Sequence, residues 1–399
     1  MRGVLLLAGL GLGAPAFAQG LTLKPLADAR LRYETVDQVG LPATSDAVTV
    51  RVRTGVEATT GPWSALVEGQ GNLAIVGDYN DGLSGPATRP VIADPQTIAL
   101  YRAQIAYRTP GLAVTAGRQR IALDDERFVG SAPFRQSAQT YDAVRVEWTG
   151  VPKLKADVTY AWSVRTIWGI DGTAARPQAI GGDNVFANFS YRMPIGTLTG
   201  FAYLVDQDSA AVQGFRQSSQ TYGARLAGVR PIGTARLSYQ ASYARQSDDH
   251  RNPNAYVADY YLVDLGLDLN GPKLGGGYEV LGASRGTALT SFQTPLSSLF
   301  KFQGWADKFL TTPADGVRDA YAQGGYGWKT VGPFTGVSAQ AVYHRFDSDR
   351  AGRHYGDEID LLATARLRRT GIGLRYADYR ADRFAVDTRK LWLQLDWTI

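Results

Sequence analysis

The chain has 399 residues, a formal charge of +5 from 42 Lys and Arg against 37 Asp and Glu, and no cysteine. So slight a balance, with no basic run or basic helix standing out, argues against a nucleic-acid binder, and exported chains without cysteine need stabilisation other than disulfides. With 45 Gly, 21 Tyr and a mean hydropathy of −0.19, the composition suits many tight turns and a chain made half polar by alternation, and no apolar run has the length of a spanning helix.

Met1-Arg2-Gly3, the apolar run Val4–Leu10 and the Ala16-Phe17-Ala18 site read as a secretory signal peptide over residues 1–18, cleaved before Gln19. Residues 19–399 then form one domain, since all-β barrels run long without dividing. The mature chain enters a strand at once, with Ala27, Ala29, Leu31 and Tyr33 alternating with Asp28, Arg30, Arg32 and Glu34. A second strand alternates Val48, Val50 and Val52 with Thr49, Arg51 and Arg53, turns at Thr60-Gly61-Pro62, and continues from Trp63.

Seven more short turns follow, from Thr109-Pro110-Gly111 to Arg369-Thr370-Gly371, and all but the last contain proline, which cannot continue a ladder. Longer polar connections lie near residues 37–46, 74–96, 122–137, 165–182, 207–219, 245–255, 283–317, 347–355 and 381–387. Nine loops and eight turns predict about eighteen strands, with sixteen as the alternative, in a transmembrane antiparallel up-and-down β-barrel with short periplasmic turns and long extracellular loops. The strand pattern is weakest over 112–148. Trp63, Trp148 and Trp328 border short turns and Trp397 sits near the chain end, where a periplasmic aromatic girdle belongs. The last stretch alternates Leu391, Leu393, Leu395, Trp397 and Ile399 against Lys390, Trp392, Gln394 and Asp396. It is the closing strand, and it carries the signal read by the barrel assembly machinery. Trp392 is the odd aromatic on its polar face, either packing under an inward loop, the favoured reading, or offering a sugar-stacking surface.

The inward face collects Arg30, Arg32, Arg51, Arg53, Arg102, Arg108, Arg145, Arg225, Arg236, Arg366 and Arg375, together with carboxylates that include Asp28, Glu34, Glu57, Glu68, Glu147, Asp157, Asp264, Asp268, Glu279, Glu358, Asp360 and Asp396. Two readings stand: cross-strand ladders that brace the wall, or unneutralised arginines forming a constriction that selects anions. Two stretches are too rich for plain wall. Gly117–Gly130 breaks alternation and packs charges tightly, and Phe292–Leu310 carries enough aromatics, among them Phe302 and Trp305 with Lys308, to pack within or over the mouth as a gate.

At Gly117-Arg118-Gln119-Arg120, Gln139-Thr140-Tyr141-Asp142-Ala143-Val144-Arg145, Phe292-Gln293-Thr294-Pro295 and Phe302-Gln303-Gly304-Trp305-Ala306-Asp307-Lys308-Phe309 the chain resembles the alginate export porins of the outer membrane, over nearly the whole mature length. Phe300, where histidine is expected, and Ile399, in place of a terminal aromatic, depart from the pattern. The resemblance implies an eighteen-stranded monomer in a Gram-negative outer membrane, passing an anionic uronic-acid polymer through an arginine-rich constriction. It carries a constriction role onto Arg118, Arg120, Asp124, Asp125, Glu126 and Arg127.

An outer-membrane hydrolase is the competing class. Only His250, His344 and His354 offer a usual general base, and none sits beside a serine in an evident motif. The third reading is a structural or adhesive barrel plugged by its own loops. No cofactor is expected. Asp78–Gly82 lacks the spaced carboxylates and distal Glu of a calcium loop, so no metal is expected either. The expected partners are outer-membrane lipid, the assembly machinery and an anionic saccharide or small anionic solute.

Overall fold

In the computed structural model, which describes residues 20–398 apart from the side chains of 211–213, the alternating segments become eighteen antiparallel strands. In order they are β1 (Thr22–Gln38), β2 (Ser45–Thr60), β3 (Trp63–Asp78), β4 (Thr97–Thr109), β5 (Leu112–Gln119), β6 (Thr140–Trp148), β7 (Leu154–Arg165), β8 (Ala179–Met193) and β9 (Gly196–Val205). The second half comprises β10 (Ser219–Ile232), β11 (Ala235–Asp248), β12 (Val257–Asp268), β13 (Pro272–Leu281), β14 (Val317–Val331), β15 (Phe334–Asp347), β16 (His354–Leu367), β17 (Thr370–Ala381) and β18 (Thr388–Thr398). The expected signal peptide over residues 1–18 lies outside the described residues, as do Gln19 and Ile399.

Each strand pairs with the next, and β1 also pairs with β18, so the sheet closes and no full edge is left. The seam register opposes Asp396 to Arg30, Gln394 to Arg32 and Trp392 to Glu34, which puts the polar rows of first and last strands on one inner face. Eighteen is thus the count, not sixteen, and long loops and short turns segregate to opposite ends as the proline-bearing turns predicted. Within 112–148, β5 and β6 are the shortest strands, because the chain leaves the wall at Gln119 and returns only at Thr140.

Apolar side chains face outward: Val52, Val67, Ile98, Ile105, Val263 and Leu374 are all exposed, as a lipid-facing surface requires. Trp63, Trp148 and Trp328 stand at the short-turn end, Trp63 against Tyr107 at 4.8 Å and Trp328 against Tyr326 at 4.6 Å. A second belt, not anticipated from sequence, lies toward the long loops: Tyr160, Trp162, Tyr222, Tyr243 and Tyr261 are exposed near the outer ends of their strands.

The barrel is also filled. Phe128 and Phe134 of the third long loop (residues 120–139) and Phe292, Phe300, Trp305 and Phe309 of the seventh (282–316) join inward Tyr260, Phe346, Tyr379 and Trp392 in one apolar core inside the lumen. Trp392 is fully buried, edge-on to Phe134 at 5.8 Å and to Phe300 at 6.2 Å, so it packs under inward loops as expected. Truncation to Trp392→Ala is expected to cost about 3–5 kcal/mol. A lowered urea midpoint of the compact, heat-modifiable band on gels would show it, and an unchanged midpoint would contradict this packing.

Candidate functional site

The third loop crosses the lumen because its charges find partners on the far wall. Asp124 accepts from Asn188 Nδ2 at 2.9 Å and lies 3.5 Å from Arg225, while Asp125 accepts from Gln240 Nε2 at 2.9 Å. Asp124, Glu126 and Ala132 adopt positive φ, the bends that fold so short a crossing back on itself. Glu126 accepts from the backbone N–H of Ser131 at 2.8 Å and from Ser298 Oγ at 2.5 Å. Gly130 N–H donates to the Leu296 carbonyl and Ser298 N–H to that of Glu126, at 2.9 and 3.1 Å, so the two loops are stitched through their backbones.

Arg127 completes the stitching. Fully buried, it donates to Glu279 at 2.6 Å, to Thr294 Oγ1 at 3.1 Å and to Gln303 Oε1 at 3.0 Å. Burial opposes its charge, but Glu279 more than offsets this and holds the guanidinium above its ordinary value.

The seventh loop is clamped at Trp305–Lys308. Trp305 and Ala306 N–H groups both donate to Glu358 Oε1, at 2.5 and 2.7 Å. Gly304, at φ +77, runs so close to that carboxylate that a Cβ would collide with it. Asp307 receives Arg135 at 2.8 Å and Lys390 at 2.6 Å, all three nearly buried. Burial alone would raise the Asp307 carboxyl, but Arg135 and then Lys390 outweigh it and hold it far below the usual carboxylate range.

Phe134 and Phe300 stack at 3.5 Å and 6° and form a partition. Above it a vestibule of about 680 Å³ is lined by Arg89, Trp168, Arg176 and Lys308, and below it a chamber of about 600 Å³ is lined by Phe302, Trp305, Glu279, His344 and Arg375. Ser298 and Phe300 border both. Lys308 donates to Gln38 Oε1 at 3.2 Å, and burial, then Lys390, lowers its ammonium from 10.5 to about 8. The cost of burying that cation is fully present below about pH 8 and fades as pH rises toward 10.5, so loop docking tightens while the vestibule loses a charge. Anion preference is expected to fall as pH rises through about 8, read as a shift in reversal potential, and Lys308→Met is expected to flatten that step.

Arginines gather on one arc of wall. Arg30 opposes Arg51 and Asp396, Arg53 opposes Asp28, and Arg375 projects from β17 toward Phe134, 5.5 Å from its ring. Arg30 pairs with Asp396 at 2.7 Å, Arg51 and Arg53 share Asp28, and Arg102 pairs with Glu68 at 2.6 Å. Arg375 has no ion pair among the described residues, and Arg51 Nε and Nη1, Arg53 Nη2 and Arg375 Nη1 have no hydrogen-bond partner. Five guanidiniums (Arg30, Arg51, Arg53, Arg102, Arg375) thus face three carboxylates (Asp28, Asp396, Glu68). Arg53 also lies over Tyr101 at 4.0 Å.

The other expected lumen arginines are dispersed. Arg32 is buried against Asp94 and Gln394 and donates to the Phe134 carbonyl, which makes it a support for the third loop. Arg145 is bidentate to Asp157 and Arg225 holds the third loop, while Arg236 and Arg366 are exposed at the short-turn mouth. Arg120 donates to Ser131 Oγ at 2.8 Å within its own loop.

Two placements need correction. Arg127 was expected to line the pore and is instead an interior tie between loops and wall. Arg118 was expected at the constriction, but it opposes Ala103 and Asp142 in a row that continues outward through Ala116 with Val144 and Val114 with Val146, so its parity is outward.

Sequence reasoning did not anticipate the Phe134 and Phe300 stack, the Asp307 triad or the Glu358 clamp. Only Glu358 had a signal, its inward parity on β16. His344 is nearly buried, with Nδ1 at 2.9 Å from Asp319, and among the described residues no hydroxyl bonds to it. No cluster of His, Asp and Glu suited to a metal occurs among the described residues. Asp81 spends its carboxylate on the backbone of Leu83 and Ser84.

The family profile for alginate export matches residues 27–391. The fold is similar to Pseudomonas aeruginosa OpdO (TM-score 0.69, 15% identity, covering 94% of this chain and 97% of that one) and to Acinetobacter baumannii OccAB4 (0.70, 13%, 94% and 98%). It is likewise similar to Pseudomonas aeruginosa OpdK solved with vanillate (0.68, 13%, 94% and 98%). No curated protein matches the sequence.

Proposed function

The chain belongs to the alginate export family and is an outer-membrane porin channel, and from that premise we propose that it passes anionic solutes, acidic sugars such as alginate or uronate oligomers, along the arginine arc. The excess of five guanidiniums over three carboxylates carries the reading. Such an arc lowers the barrier for anions, and guanidinium grips a carboxylate bidentately. His344 is closed in between Asp319 and Asp360, and no hydroxyl among the described residues bonds to it, which favours a channel over a hydrolase. The chain reaches the outer membrane through its signal peptide, assembles through β18 and works as a monomer.

In a planar bilayer the purified barrel is expected to show a cation-to-anion permeability ratio below one and block by oligouronate. Cation selectivity without block would overturn the proposal. The alternative is a porin for an unrelated small solute, and vanillate, with which a structural neighbour was solved, is the comparator. Block by vanillate at lower concentration than oligouronate would favour that alternative.

A further inference from the structure

The wall itself is incomplete at one place. β5 pairs with β4 only from Thr109 up to Ala103, so residues 97–102 of β4 have no neighbour on that side. Where the missing strand would run, β4 and β6 stand two strand spacings apart, roughly 10 Å. A cavity of about 200 Å³ occupies the gap, reaching from outward Leu100 and Arg165 to inward Gln70 and Tyr101. Ile170 N–H donates to Thr97 Oγ1 and caps its top, and Arg118 Nη1 reaches the Leu100 carbonyl that β5 leaves open.

The chemistry of this notch is unusual for a lipid-facing surface. Arg118 and Arg165 both lie on outward parity, opposite Asp142 and Thr140 respectively. Asp142 is consumed by Arg118, with bonds of 2.7 and 2.9 Å, whereas the Arg165 side chain forms no hydrogen bond or ion pair among the described residues. Arg165 ends β7 three residues beyond Trp162 of the outer aromatic belt, at the depth where lipid headgroups begin. Ile98, Leu100, Trp162 and Ile170 are exposed apolar lips around it.

An uncompensated cation inside apolar lips at headgroup depth fits an amphiphile with an anionic head. We propose that the notch between β4 and β6 binds the phosphorylated headgroup of an outer-leaflet lipid, with Arg165 contacting the phosphate and Arg118 bracing the open strand edge. Acyl chains lie along Ile98 and Leu100. Arg165 and Arg118 act on the outer face, while the cavity floor at Gln70 and Tyr101 abuts Arg53 of the arc, so the lipid contact does not depend on which solute passes.

Native mass spectrometry of the detergent-purified barrel, titrated with diphosphorylated lipid A, tests it. Arg165→Ala is expected to weaken binding about tenfold, the usual scale of one lost charge-assisted contact. Arg165→Lys should retain most of it, and Arg345→Ala, on the outward side of β15, should change nothing. Dephosphorylated lipid A should bind as weakly to the native barrel as lipid A does to Arg165→Ala. Equal retention by Arg165→Ala in a barrel that remains heat-modifiable, or equal binding of the dephosphorylated lipid, would overturn the site. Inorganic phosphate alone binding as tightly as the lipid would assign it to the free ion and overturn the lipid.

Discussion

Asp307→Asn is expected to raise single-channel conductance several-fold and to add gating noise, because it strands two buried cations. Arg135 and Lys390 both end on Asp307 Oδ2, and breaking a buried pair from one side typically costs about 3–5 kcal/mol. That is enough to release the Trp305–Lys308 clamp unless Glu358 alone retains it, so the double variant with Glu358→Leu should open further. Unchanged conductance and unchanged protease resistance of the seventh loop in the double variant would show that apolar packing, not charge, holds it. Acid should not mimic the effect. A carboxyl held below its ordinary 3.8 contributes its stabilisation at every pH above that value and loses it only as pH falls well below.

Reversing the arginine arc is the second large effect. With Arg51→Glu and Arg53→Glu together, five cations against three carboxylates become three against five, an excess of two positive charges turned into two negative. The anion-to-cation permeability ratio should fall roughly tenfold, the change that about 1.4 kcal/mol in relative barrier produces, and the reversal potential should change sign. The paired variant Arg51→Lys with Arg53→Lys separates charge from geometry. Selectivity should survive, whereas oligouronate block should weaken, since ammonium lacks the planar fork. A selectivity unmoved by the glutamates would place the ion path elsewhere in the lumen.

The barrel was legible because alternation and proline-bearing turns are local signals. The eighteen strands, the two ends and the shared inner face of first and last strands follow from period two and turn chemistry, whereas the seam register, with no turn joining β1 to β18, does not. Trp392 could be read as packing because an aromatic on a polar row needs a cover. Arg127 could not be placed, since its partners Glu279, Thr294 and Gln303 lie far along the chain and no pattern near residue 127 points to them. Arg118 shows a different failure. Outward parity ordinarily excludes charge, yet Asp142 neutralises Arg118 and an open carbonyl on β4 uses it, and both partners come from tertiary structure.

The seam strands hold more than each other. Arg30 and Arg32 of β1 grip carbonyls of the third loop, and Lys390 and Trp392 of β18 grip Asp307 and the Phe134 and Phe300 stack. Because β1 and β18 meet only when the barrel closes, neither inner loop has its full set of anchors until these two strands zip together. Locking of the loops is therefore the final event of maturation, and a barrel caught half-closed would be leaky as well as unfinished. A slow rise in protease resistance of the seventh loop, coincident with closure in a refolding time course, would mark that step.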